Sequence, residues 1–117
     1  MNTKTIDALS PHVLAILLAL AGKERHGYEI MKHVAETSQG NIQIGPGTLY
    51  SALKRLLKDG WVELAGEREL VDKEDERRKY YHLTPLGKKR LGAELQRYQE
   101  VLAMARASNL EGLVPEL

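Results

Sequence analysis

Gly47, Ser51, Lys54 and Lys58 recur at helical spacing on one side of the stretch from Ile44 to Val62. On a 100° wheel they lie opposite Leu49, Ala52, Leu53, Leu56 and Leu57, with Tyr50 and Arg55 on the shoulders. Pro46 suits the first helical position and Gly60 the left-handed end, so the stretch predicts one helix of three to four turns between them. Its outer face carries small residues near the start and cations further along. The chemistry on offer there is hydrogen bonding and charge neutralisation toward a polyanion, with close approach at the helix start and phosphates held on either side.

Bond-making chemistry finds no comparable set. The sequence has no cysteine, which removes thiolate catalysis, disulfides and cysteine-ligated metal sites. His12, His26, His33 and His82 show neither ligand spacing nor a helical His-x-x-x-His pair, so neither metal nor cofactor is expected. Glu29 and His33 form an i,i+4 pair that reads as a surface contact. No nucleophile motif, phosphate loop or convergent acid/base pair appears, and an enzyme is not expected.

The 117 residues suit one modest domain, with an aliphatic core because there is no Phe and one Trp. A formal charge of +1 gives no global field, but the charges are segregated. Lys54, Arg55 and Lys58 face a single acid, Asp59, within 45–60, and Arg77, Arg78, Lys79, Lys88, Lys89 and Arg90 meet no acid within 77–90. Between them, 67–76 is strongly acidic. One cationic surface suffices to neutralise phosphates locally. The apolar run from Val13 to Ala21 is nine residues, too short to cross a bilayer. A soluble cytoplasmic protein is the expectation.

Further elements frame the central helix. Ser10-Pro11 is a cap followed by a first-turn residue, opening a helix to Ala21 that is apolar nearly all round. Gly22 to Arg25 reads as a charged connection. His26 to Ala35 predicts a second helix, with Tyr28, Met31, Val34 and Ala35 on its apolar side and Ile30 beside it. Ser38 to Asn41 is a turn, and Ile42 and Ile44 form either a very short strand or a packed approach. Trp61 to Ala65 and Arg78 to Leu83 predict a hairpin that leans on the helices through Trp61, Val62, Leu64, Tyr81 and Leu83. Thr84-Pro85 then opens a last helix reaching about Ala107. Its Leu91, Leu95, Tyr98, Leu102 and Ala105 form a short heptad seam, widened by Val101 and Met104. At about 35 Å such a helix outruns a small domain, so this seam is expected to meet a second copy of the chain.

Helix, helix, outward cationic helix and hairpin form the order of a winged helix-turn-helix. The expected fold is mainly α with a small β hairpin: a DNA-binding unit over 1–83, a dimerisation helix over 84–108 and a tail over 109–117. Ser51 and Lys54 are candidates for base edges. Thr48, Tyr50, Arg55 and Lys58 on the helix, and Arg77, Arg78 and Lys79 on the returning strand, are candidates for phosphates. The acids Asp72, Glu74, Asp75 and Glu76 would turn the tip of the wing away from a duplex.

Several stretches, in order, resemble the PadR-type transcriptional regulators: His26-Gly-Tyr-Glu-Ile30, Gly47-Thr-Leu-Tyr-Ser-Ala-Leu-Lys-Arg-Leu56 and Arg77 to Gly87, with Gly60 between the last two. The resemblance covers roughly residues 10–105 and fits the short members with one long C-terminal helix. It implies a homodimeric repressor, a pseudo-palindromic double-stranded operator, a recognition helix opening at Thr48, Leu49 and Tyr50, and dimer contacts after Thr84. It also implies an apolar or aromatic small-molecule effector between the first and last helices, where Val13, Leu14, Leu17, Val101, Leu102 and Met104 are the expected lining. Gly45 stands where the family often has a Ser-like cap, and Asp75-Glu76 where it often has a glycine-arginine turn. The competing expectation is a winged-helix adaptor that binds a protein and reads no DNA sequence.

Overall fold

A computed structural model describes residues 8–65, 79–108 and 111–113. The order is α1 (Pro11–Gly22), β1 (Arg25–His26), α2 (Gly27–Thr37), α3 (Pro46–Asp59), β2 (Val62–Leu64), β3 (Tyr80–Leu83) and α4 (Pro85–Ala107), followed by a 3₁₀ turn at Glu111–Leu113.

Three of the four α-helices start at a side-chain cap. Ser10 Oγ accepts from Val13 N–H at 3.2 Å, and Pro11 occupies the first turn of α1. At α2 the capping residue is His26, whose Nδ1 accepts from Glu29 N–H at 3.3 Å while Glu29 accepts from His26 N–H at 3.1 Å. This is a capping box with imidazole in the hydroxyl's place. Thr84 Oγ1 accepts from Gly87 N–H at 3.0 Å and donates to Gly60 O at 2.6 Å, tying the start of α4 to the end of α3.

The core is small and aliphatic. Ile16, Leu17 and Ala19 of α1, Ile30 and Val34 of α2, and Leu49, Leu53 and Leu56 of α3 meet Val62, Tyr81 and Leu83 of the sheet. α1 lies centrally among them, as its uniformly apolar sequence predicts, although Leu18 remains 41 % exposed.

Several expectations need correction. Arg25–His26 is not only connection and helix start but a short third strand, giving the antiparallel order β1-β3-β2. Arg25 pairs with Tyr81 and His26 with Tyr80, which occupies the edge of β3 that a two-stranded hairpin would leave open. The hairpin register is Val62 with Leu83, Glu63 with His82 and Leu64 with Tyr81. Leu64 was expected to lean on the helices, yet it is 47 % exposed on the outer strand. On α2 the inward set is Gly27, Ile30 and Val34, and Tyr28 is 66 % exposed instead of apolar-facing. The close approach of Gly27 to Tyr50 rotates the helix this way, because a β carbon at Gly27 would collide with the Tyr50 ring and hydroxyl. Ile42 and Ile44 form no strand: Ile44 is buried, and Ser38 Oγ closes the loop by accepting from Ile42 N–H at 2.9 Å.

Candidate nucleic-acid interface

α3 is held from three directions. Leu49, Leu53 and Leu56 are at most 2 % exposed and fix its rotation against α2 and the sheet. Gly60, at φ 80°, ends the helix with its N–H on the Leu56 and Leu57 carbonyls, and Trp61 N–H donates to Leu56 O at 3.1 Å. Leu57, expected inside, is 36 % exposed.

With that rotation fixed, Gly47, Thr48, Ser51, Lys54, Arg55 and Lys58 all face outward and are exposed. Gly45 caps the helix without any side-chain hydrogen bond, so the first-turn N–H groups are presented to an external acceptor. The helix dipole adds partial positive charge at that end. Arg55 has an 85 % exposed side chain and lies 3.9 Å from Asp59, a loose surface pair that leaves its guanidinium reachable.

Other candidates divide. Tyr50 is half-buried with its ring lodged against Gly27, so packing claims most of a side chain expected at phosphates. Lys79 is half-buried at the foot of β3. Arg77 and Arg78, and the acids Asp72, Glu74, Asp75 and Glu76, lie outside the described residues, as does the hairpin tip.

The far half of α4 has a different surface. Leu95, Tyr98, Val101, Leu102 and Met104 are 40–69 % exposed, and Ala105 is half-buried. Leu91, expected at a dimer contact, is 5 % exposed inside the protomer's own core, so the outward stripe begins one turn later. Among the residues expected to line an effector site, Leu17 is fully buried and Val13 and Leu14 are half-buried. Val13 instead borders a cavity of about 310 Å³ with Leu9, Leu56, Trp61 and Arg90, whose lining includes none of Val101, Leu102 and Met104.

Three features escaped the sequence reading. His26 caps α2, a role signalled by its three-residue spacing to Glu29. Arg90 lies over the Trp61 ring at 5.5 Å, joining α4 to the end of α3. Glu94 is fully buried beside two arginines, and the spacing of Arg90 and Arg97 around it was the available signal. Arg97, hydrogen-bonded to it, holds its carboxyl below the ordinary carboxylate value, helped by the Leu9 N–H and outweighing the effect of burial.

Three helices, the third presenting a small and cationic face, with an antiparallel sheet beside them, define a winged helix-turn-helix protein. Among the described residues no helix is long and apolar enough to cross a membrane. The model of the transcriptional regulator PadR-like family matches residues 16–93. The chain belongs to this family, and with it to the DNA-binding transcriptional regulators rather than the enzymes. It is 34 % identical over 96 residues to an uncharacterized protein of Lysinibacillus sphaericus, covering 81 % of this chain and 85 % of that one. A transcriptional regulator from Clostridium thermocellum is 31 % identical with a TM-score of 0.61, over 83 % of this chain and 88 % of that one. Bacillus subtilis PadR, solved in complex with operator DNA, is 26 % identical with a TM-score of 0.62, over 74 % of this chain and 47 % of that one.

Proposed function

We propose that the chain is a homodimeric repressor that places two copies of α3 in successive major grooves of a pseudo-palindromic operator. The observation that carries the reading is the pairing of two outward faces on one protomer: the small, cationic face of α3 and the exposed apolar stripe of α4. An apolar stripe of this length calls for cover by another apolar surface, and a second copy supplies an identical one. In this reading Ser51 and Lys54 reach base edges, and Thr48, Arg55 and Lys58 hold phosphates. Tyr50 adds at most its phenol edge, and Lys79 follows the strand leading from the wing. Leu95, Tyr98, Val101, Leu102 and Ala105 form the contact between protomers. Release by a small apolar or aromatic molecule is part of the proposal, with Val101, Leu102 and Met104 of one copy facing Val13 and Leu14 of the other.

The test is selection of genomic fragments by purified protein at near-physiological salt, followed by sequencing. Enrichment of dyad-symmetric sites with half-sites about one helical turn apart is expected. Uniform weak recovery, with little change across salt concentrations, would replace this reading by the protein-binding adaptor, for which the net charge of +1 is the supporting observation.

A further inference from the structure

Glu94 sits in the third turn of α4 with no exposed side-chain surface. A buried carboxylate costs free energy unless its oxygens are paired, and an apolar side chain would fill the same space without needing partners. What these partners add is direction. Oε2 accepts from Leu9 N–H at 3.0 Å, just ahead of α1, and from Arg97 Nη2 at 3.4 Å. Oε1 accepts from Arg97 Nε at 3.1 Å and lies 3.6 Å from Arg90 Nη1. Arg90 in turn covers Trp61, whose N–H is bonded to the last turn of α3. One carboxylate therefore joins the entry to α1, the body of α4 and, through Arg90 and Trp61, the end of α3.

The position on α4 gives this clasp leverage. Leu91 is the last apolar residue of the helix that is buried in the core, and the exposed stripe starts immediately after Glu94. From Glu94 to Ala107 the helix runs about 20 Å, so a tilt of about 10° at the clasp moves its end by about 3 Å. That is close to one base-pair step of about 3.4 Å.

We propose that Glu94 is a positioning residue: by clasping Leu9, Arg90 and Arg97 it fixes the angle between the partner-facing stripe of α4 and the DNA-facing helix α3. It thereby sets the distance between the two recognition helices of a dimer. The inference rests on the homodimer reading above.

Because the sequence lacks cysteine, Lys58→Cys introduces a single attachment point per protomer on α3. Spin-labelled full-length dimer, free of DNA, is measured by pulsed dipolar spectroscopy, and the oligomeric state of the unlabelled chain by sedimentation. The native Glu94 background is expected to give one narrow distance distribution. Glu94→Leu should remain dimeric yet shift the mean by about 3 Å or more, or double the width, and Glu94→Gln should fall between them because it keeps an acceptor for Leu9 N–H. An unchanged distribution in dimeric Glu94→Leu, even with a lowered Tm, overturns the positioning role while leaving the dimer intact. Should Glu94→Leu fail to fold, Arg97→Gln loosens the clasp from its exposed side and must itself broaden the distribution; no broadening overturns the proposal. A monomer by sedimentation, with no interspin distance in any background, overturns the dimer reading and this proposal together.

Discussion

α3 and α4 both begin at a proline and both carry an apolar stripe, but they use it differently. In α3 the stripe is consumed inside the protomer, with Leu49, Leu53 and Leu56 almost wholly buried, so what faces solvent is Gly47, Ser51, Lys54 and Lys58. In α4 the burial stops near Glu94, and Leu95, Tyr98, Val101, Leu102 and Met104 remain exposed. A helix whose apolar side is satisfied internally offers polar groups to a polar partner. One whose apolar side is left open offers area to another apolar surface. The contrast is what supports the proposal of DNA as the partner of α3 and a second protomer as the partner of α4.

The contrast can be broken most forcefully at Leu53. Leu53→Ala should destabilise the protomer by about 2–5 kcal/mol in urea unfolding, because a fully buried side chain leaves a cavity. Val101→Asp, at a residue 57 % exposed, should leave the fold intact but raise the dimer dissociation constant about 100-fold, about 2.7 kcal/mol. Unfolding of that variant, or undiminished association in sedimentation, would erase the distinction between the two helices.

Within α3, Lys54→Ala should cost about 1–3 kcal/mol of binding to a selected operator and much less on unrelated DNA. Equal loss on both would move Lys54 from base edges to phosphates. Lys58→Ala should instead weaken both alike and lower the salt slope by about one.

Acid titration isolates the clasp. The Glu94 carboxyl is held below its ordinary value of 4.5 by Arg97, so its contribution to stability is complete above that value and disappears as pH falls through the lower folded value. Glu94→Gln should therefore show a shallower loss of stability below about pH 4.5 than the parent chain, followed by circular dichroism. Identical acid limbs would show that the carboxylate does not carry this linkage.

The smallest effect compares two exposed glycines. Neither Gly47 nor Gly92 has a neighbour within 4 Å of the place a β carbon would occupy. Gly92→Ala should raise stability by about 0.5–1 kcal/mol and leave DNA binding unchanged. Gly47→Ala should weaken operator binding if the proposed interface holds, and similar binding by both variants would remove Gly47 from it.

Much of this architecture follows from residues that act over a few neighbours. Ser10-Pro11, Pro46 with Gly60, and Thr84-Pro85 mark helix ends through local hydrogen bonds and backbone preferences, and those ends appear as expected. The apolar spacing of Leu49, Leu53 and Leu56 likewise fixes which side of α3 turns inward. The order of motifs was sufficient to indicate the family, since a fold built from short local elements leaves its signature in consecutive stretches.

Other outcomes depend on what a residue meets across the fold, and periodicity on one element carries no record of that. Tyr28 and Ile30 lie about 160° apart on a helical wheel, at opposite edges of the expected apolar side, and the contact of Gly27 with Tyr50 belongs to the edge of Ile30, which turns inward. Arg25 and His26 become a strand because β3 has an edge to offer. Leu91 and Leu95 belong to one heptad pattern, but the end of the core falls between them. Glu94 reads as an ordinary polar helical residue until Leu9, distant by 85 positions, brings its N–H to the carboxylate. Local chemistry specified the elements and their ends; the tertiary structure chose which surfaces were left for partners, because burial is a property of the neighbours a side chain acquires on folding.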